Sequence, residues 1–360
     1  MRWRSFLKEY CKREIYEKNI LDYQFDEFQN ILIENGFEKY RAKQIYPLVY
    51  KGIKTFDEIN NIPKNLKDFM LENFVVNSVS IYEKLQSKKD YTKKYLMKLE
   101  DGNIIECVLM KYKFGLSACI SSQVGCLMGC TFCASTVGSK VRDLSSGEMI
   151  GQILAMSNDV GEKISNIVIM GSGEPFDNYG NLLKFFDLVM SKDTLNIGAR
   201  HITVSTCGLA DKIIDFADRK LQINLAISLH NPNQEKRSQI MPISRKFKID
   251  ELMRAVEYYI SKTNRRVTYE YALINEVNDS EEDAKLLVQL VKNQLCHINL
   301  IPVNSTEHSN YKKPDNIRIQ KFMNILSKNG INATIRREMG TDINGACGQL
   351  RISAISKEKL

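Results

Sequence analysis

Ala118-Cys119-Ile120-Ser121-Ser122-Gln123-Val124-Gly125-Cys126-Leu127-Met128-Gly129-Cys130-Thr131-Phe132-Cys133 is the stretch around which this 360-residue chain is organised. Cys126, Cys130 and Cys133 stand at Cys-x3-Cys-x2-Cys spacing, with Gly125 and Gly129 beside two of them. Thiolates are soft ligands suited to zinc or to iron–sulfur clusters. Three of them on a tight loop hold three corners of a cubane and leave the fourth iron without a protein ligand. That open corner suits chelation by the amino and carboxylate groups of S-adenosylmethionine (SAM). An electron passed into such a cluster cleaves the sulfonium and gives a 5′-deoxyadenosyl radical.

Zinc is the competing reading. Closed structural zinc sites use four ligands, usually as two separated pairs, and no second pair follows here. A catalytic zinc with an open position also fits three cysteines, so spacing by itself leaves zinc open. The spacing nevertheless resembles the motif of the radical-SAM superfamily.

Bulk composition sets the frame. The length suits one large catalytic domain with a smaller one. A hydrophobic content of 43% is ordinary for a soluble chain, and no run of 18 apolar residues marks a membrane span. Met1-Arg2-Trp3-Arg4-Ser5-Phe6-Leu7-Lys8-Glu9 lacks the apolar segment of a signal peptide. Nine cysteines, an odd number spread along the chain, argue against a disulfide framework and for a reducing cytoplasm. The formal net charge is +8, and residues 1–113 carry 21 Lys and Arg against 17 Asp and Glu. A polyanionic partner fits that excess, as does plain solubility.

Residues 1–24 form an extension without an assigned role. From Phe25 to about Asn73 apolar residues recur at helical spacing, Gly36 reads as a C-cap and Pro63 as a helix start. This predicts a small helical domain over 25–74, whose apolar face reads as its own core. Residues 75–113 alternate like strands and read as a β-hairpin linker. Beyond Cys133, Ser145-Ser146-Gly147-Glu148 is a capping box opening a helix to about Asn158. Strands are then expected at 166–170, 201–205, 224–228, 267–273, 298–303 and 333–336. Helices are expected near 179–190, 209–219, 249–262, 280–293 and 316–328. Such alternation predicts an α/β fold with a parallel sheet, a partial (β/α)6 barrel over 114–351, and a tail over 352–360. The site then belongs at the C-terminal ends of the strands.

Several of those ends carry polar or glycine-rich signatures: Met170-Gly171-Ser172-Gly173-Glu174-Pro175, Ser205-Thr206-Cys207-Gly208, Ser228-Leu229-His230 and Pro302-Val303-Asn304. Each alone reads as a turn, and His230 alone as a structural histidine. Cys207 reads as a small turn residue, and Cys11, Cys107 and Cys296 as ordinary thiols. Near the C-terminus, Ala346-Cys347-Gly348-Gln349-Leu350 sets a cysteine among small residues, which leaves a thiol approachable.

Taken together, in this order and at these separations, the segments resemble the RlmN family of radical-SAM RNA adenine C2 methyltransferases. The likeness is close from about residue 104 to 351 and loose over the helical N-terminal region. It implies a [4Fe–4S] cluster on Cys126, Cys130 and Cys133. It also implies SAM contacts from Gly173, Glu174, Ser205, Ser228, Leu229, His230 and Asn304. Cys347 becomes the cysteine that is methylated, Cys119 the thiol that resolves the adduct, and Glu106 the proton acceptor. Ser172 stands where the family usually has Met, and Asp143 where it has Asn.

The chemistry accounts for two cysteines. Adenine C2 lies between two ring nitrogens and is electron-poor, so it does not attack a SAM methyl group directly. In the implied route Cys347 is methylated first, its methyl group is activated by a radical and added to C2, and Cys119 releases the product by thiol exchange. The implied substrates are an adenosine of large-subunit rRNA near the peptidyl-transferase centre and the adenosine 3′ of the anticodon in some tRNAs. A flavodoxin or ferredoxin would supply electrons. The rival readings are the C8-directed sister group associated with antibiotic resistance, which carries Ala where Pro175 stands here, and a non-catalytic iron–sulfur or RNA-binding assembly protein. Cys347, Cys119 and Glu106 together discriminate against the latter.

Overall fold

The computed structural model describes residues 18–303, 310–337 and 339–343. Its frame is one ten-stranded sheet whose strands lie side by side in chain order. These are β1 (Val79–Gln86), β2 (Lys93–Leu99), β3 (Ile104–Tyr112), β4 (Gly115–Ile120), β5 (Ile164–Ile169), β6 (Ile202–Thr206), β7 (Asn224–Ser228), β8 (Val267–Leu273), β9 (Cys296–Pro302) and β10 (Ala333–Ile335). Strands β1 to β4 pair antiparallel, and β4 to β10 run parallel. Parallel neighbours need crossovers, and helices supply most of them. They include α4 (Ser146–Val160), α5 (Tyr179–Met190), α6 (Ala210–Asp218), α7 (Gln234–Ile240), α8 (Ile249–Thr263), α9 (Glu281–Val291) and α10 (Asn316–Lys328). The result is a partial β/α barrel.

Three earlier helices, α1 (Phe25–Glu34), α2 (Arg41–Tyr50) and α3 (Lys64–Asn73), form the small N-terminal unit. Its centre is aromatic: the Phe28 ring lies 6.0 Å from that of Tyr46 and 5.9 Å from that of Phe74. The unit shares one continuous apolar core with the barrel, from Ile20 to Ile331.

Three departures from the sequence expectation have physical reasons. Strand β4, at Gly115–Ile120, was not expected, because the cysteine stretch reads as a loop. Its parallel pairing with β5 makes it the first parallel strand, so seven such strands stand where six were counted. Residues 79–112 are more than a linker, since their antiparallel pairing extends the barrel sheet itself. Helix α7 was also missed, its short polar run Gln234-Glu235-Lys236-Arg237 reading as a loop.

Residues just before α1 also have a task. Ile20 and Leu21 are fully buried, and Lys18–Asn19 pairs with Phe74–Val75. The Asp22 carboxylate accepts from Gly147 N at 2.6 Å and from the hydroxyls of Ser145 and Ser146 at 3.1 and 3.0 Å. It therefore acts as a remote anionic cap on α4, beside the local box in which Ser145 Oγ accepts from Glu148 N and Glu148 accepts from Ser145 N. Helix α4 follows the cysteine loop, so this cap joins the N-terminal unit to the element next to the site. Replacing Asp22 with Ala should cost about 1 kcal/mol and lower the melting temperature by about 2 °C. An unchanged melting curve would show that the cap contributes nothing to docking.

Candidate active site

Strand β4 ends at Ile120, and the following turn is held from three directions. Gln152 of α4 accepts from Ser121 N at 2.8 Å and donates to Ser121 O at 3.0 Å. Ser121 Oγ donates to the Glu106 carbonyl at 2.7 Å and accepts from Ser172 N at 2.9 Å. Gln123–Val124 then pairs antiparallel with Arg142–Asp143, and this two-residue ladder closes the base of the cysteine loop. Gly125 lies at φ +81°, and a Cβ there would overlap the carbonyl oxygen of Ser139 on the returning segment of the loop. Only glycine fits that crossing without strain.

Within the loop, Cys133 N donates to Cys130 O at 3.0 Å and Thr131 N to Ile240 O at 3.0 Å, which ties the loop to the end of α7. Cys126 and Cys130 are buried and Cys133 is half-buried. Burial, with the nearby Cys133 thiol adding to it, pushes Cys126 up to about 12 and raises Cys130 as well. Thiols in this state release their protons as metal binds. Among the described residues no three His, Cys, Asp or Glu side chains close around a single metal-ion position.

The next strand ends are stitched to this loop and to one another. Ser172 O accepts from Ser122 N (2.9 Å) and Gln123 N (3.1 Å), while Gln123 Oε1 accepts from Glu174 N (2.9 Å). Gly173 has φ +105°, and a Cβ on it would sit 2.5 Å from Gln123 Cβ and 2.8 Å from Gln123 N. The buried carboxylate of Glu174 accepts from Phe176 N at 3.0 Å and from Cys207 N at 2.7 Å. Burial raises its pKa, opposed by those backbone donors. Ser205 Oγ lies 3.5 Å from Ser228 Oγ, which brings β6 and β7 together. Leu229 is fully buried beside them.

His230 sits at φ +56° in a three-residue turn closed by Asn231 N to Leu229 O at 2.7 Å. Its Nδ1 accepts from Ala272 N at 2.9 Å, and burial lowers its pKa to about 3. The ring is therefore neutral with its proton on Nε2. Phe132 of the cysteine loop meets it edge-on at 4.8 Å between ring centroids. The rim thus runs unbroken from the cysteines through Gly173, Glu174, Ser205 and Ser228 to His230. Ser172 Oγ is buried there without a hydrogen-bond partner, an orphan that a polar ligand in the glycine-lined cradle would satisfy. The residues present fit both a three-cysteine cluster and SAM.

Behind the rim lies a second group. Half-buried Cys119 faces Val108 across β3 and β4, and Glu106 on β3 faces Leu96 on β2. Lys94 Nζ pairs with Glu106 at 3.3 Å, both side chains being buried. Burial raises the Cys119 pKa, opposed chiefly by the nearby Arg336 cation. Asn304 and Cys347 lie outside the described residues, as does Cys11. Sequence reasoning passed over Gln123, Lys94 and Arg237. Lys94 in a strand and Arg237 in a charged run read as solvated, Gln123 as an ordinary loop residue, and no sequence signal marks them otherwise.

A family model described as the Radical SAM superfamily matches residues 120–288. A Clostridium botulinum protein named "Probable dual-specificity RNA methyltransferase RlmN" is 52% identical over 342 residues, covering 95% of this chain and 99% of its own. One of the same name from Alkaliphilus oremlandii is 55% identical over 333 residues, covering 92% and 97%. The chain belongs to the RlmN family. A solved radical SAM methyltransferase from Sphaerobacter thermophilus has the same fold, with TM-score 0.89 and 38% identity over 92% of this chain and 98% of that one. RlmN-family membership makes this a radical-SAM RNA methyltransferase.

Gly125→Ala should leave far-UV circular dichroism intact while anaerobic reconstitution yields well under the roughly four iron per chain of a full cubane. Full iron loading in that variant would mean the loop crossing tolerates a Cβ and does not fix the thiols.

Proposed function

We propose that this chain methylates the C2 carbon of adenosine in large-subunit rRNA, in the peptidyl-transferase region, and the adenosine 3′ of the anticodon in some tRNAs. The observation that supports it best is the placing of Cys119, Glu106 and Lys94 on the strands that lead into the cysteine and Gly-Ser-Gly-Glu rim. A plain electron carrier has no use for a buried thiol and a lysine-held carboxylate beside its cluster.

In this reading Cys126, Cys130 and Cys133 hold a [4Fe–4S] cluster. Gly173, Glu174, Ser205, Ser228, Leu229, His230 and Asn304 hold SAM. Bound together, cluster and SAM supply a radical able to take hydrogen from a methyl group carried on Cys347. The protein's own groups do the rest. The Cys347 thiolate first attacks the methyl carbon of one SAM, with S-adenosylhomocysteine leaving, and its sulfur later joins C2 of adenine through a methylene bridge. Glu106, fixed by Lys94, takes the C2 proton as the adduct radical loses one electron, which a cluster held by the three cysteines would accept. The Cys119 thiolate then attacks the Cys347 sulfur, forming an S–S bond as the C–S bond breaks. The electron pair stays on the methylene carbon, which gains a proton and becomes the product methyl group. Two electrons from outside reduce the Cys119–Cys347 disulfide before the next turnover.

A flavodoxin- or ferredoxin-type protein is the proposed electron source, in a reducing cytoplasm. Among the described residues no helix is long and apolar enough to cross a membrane. The helical unit over 25–74 is the proposed additional RNA contact.

The two cysteines give opposite expectations. Cys347→Ala should keep its cluster, carry no protein-bound methyl group and form no RNA adduct. Cys119→Ala should accumulate a covalent protein–RNA species, visible as an RNase-sensitive band on denaturing gels. If both variants only lose activity, and the intact enzyme never carries methyl on Cys347, the two-cysteine route fails. Mass spectrometry of nucleosides from the treated RNA separates C2- from C8-methyladenosine, and an 8-methyl product would assign the chain to its sister chemistry.

A further inference from the structure

The side chain of Arg237 is fully buried, and none of its hydrogen bonds goes to a carboxylate. Nε donates to Leu229 O at 3.0 Å, and Nη2 donates to Cys207 O at 2.8 Å and Ser228 O at 3.1 Å. Those carbonyls belong to two successive strand ends of the rim, just after Ser205 and at Ser228-Leu229. Cys207 N, on the other side of the same residue, donates to Glu174 Oε2 at 2.7 Å. One guanidinium thus links the β6 end to the β7 end, and Glu174 continues the chain of contacts to the β5 end.

The helix that carries it faces the cysteine loop. Asn233 Oδ1 caps α7 by accepting from Glu235 N and Lys236 N, each at 3.0 Å, and Arg237 stands in the last turn of this short helix. At the other end, Ile240 O accepts from Thr131 N at 3.0 Å. Ile240 and Met241 form one buried cluster with Cys130 and Cys207. Removing a guanidinium from water is costly, and carbonyl dipoles compensate only part of that cost. Its charge neighbours are the thiols of Cys130 and Cys207. Burial lowers its pKa only to about 10, so it remains a cation at neutral pH.

We propose that Arg237 is a positioning residue with two linked tasks: its fork fixes the strand ends that bind SAM, and its buried charge faces the cysteine loop and offsets the electron taken up there. The proposal rests on the reading of Cys126, Cys130 and Cys133 as cluster ligands. A planar fork serving three carbonyls is something an ammonium cannot reproduce, whereas the charge alone is. The two tasks therefore separate in two variants.

The test uses the full chain, reconstituted anaerobically, as wild type, Arg237→Lys and Arg237→Gln. Iron per chain, the SAM dissociation constant and the cluster midpoint potential, followed by electron paramagnetic resonance, are measured on each. SAM binding should weaken at least tenfold in both variants. The midpoint potential should become more negative in Arg237→Gln and stay near the wild-type value in Arg237→Lys, because a nearby cation favours the reduced cluster. Loss of packing alone would not make Lys and Gln differ in potential at equal iron content. Should Arg237→Gln fail to hold iron, Arg237→Lys still decides: weakened SAM binding with an unshifted potential supports the proposal. Unchanged SAM affinity in Arg237→Lys, or equal potentials in iron-loaded Lys and Gln variants, overturns it. A wild-type chain that binds no iron–sulfur cluster would instead overturn the reading of the cysteines on which it rests.

Discussion

The Glu174 carboxylate is the contact on which the rest of the site depends. It is buried, and an anion out of water is costly unless its oxygens are met by donors. Here Phe176 N and Cys207 N meet them at 3.0 and 2.7 Å, while its own N–H donates to Gln123 Oε1. Gln123 Nε2 in turn donates to Asp143 and Asp177 at 2.7 and 2.9 Å, and Lys140 pairs with both aspartates at 2.8 Å. A single residue therefore couples the base of the cysteine loop, the glycine-rich end of β5 and the end of β6. None of these polar groups can move alone without leaving another buried and unpaired.

That constraint explains why the site sits on the sheet as it does. Parallel strands in chain order place every C-terminal end on one rim, and backbone hydrogen bonds fix their register. What the sheet cannot do is align loops that leave it. Glu174 and Arg237 do so by bonding to loop backbone, Glu174 as acceptor of N–H groups and Arg237 as donor to carbonyls. On the antiparallel side, β2 and β3 bring Lys94 and Glu106 under the same turn, where Ser121 Oγ donates to the Glu106 carbonyl.

Much of this was legible in the residues. The Ser145–Glu148 capping box, the alternating strands and helices and the cysteine spacing are local patterns, and each leads to an element through chemistry within a few positions. The lost parts are those fixed by distant partners. Gly115–Ile120 became a strand because β5 pairs with it 49 or so residues later, as in the register of Ser117 with Asn166. Lys93 and Lys94 look like a solvated face until Asp159 and Glu106 pair with them inside the protein. Asp22 looks like a surface acid until α4 presents its N–H groups to it. Arg237 is the clearest case, since nothing in Gln234-Glu235-Lys236-Arg237 tells a buried fork from an exposed charge.

The central claim is that the cysteine loop and the Glu174 rim form one compartment in which SAM binds directly to an iron–sulfur cluster. Pulsed electron–nuclear spectroscopy of the reduced, full-length protein with SAM labelled with 15N at its amino group tests this without reference to RNA. The account predicts a 15N coupling to the cluster spin in the wild type and its loss or strong reduction in Glu174→Gln, whose amide no longer accepts from both Phe176 N and Cys207 N. A cluster signal indifferent to labelled SAM in the wild type, or a site filled by zinc in place of iron, would contradict it.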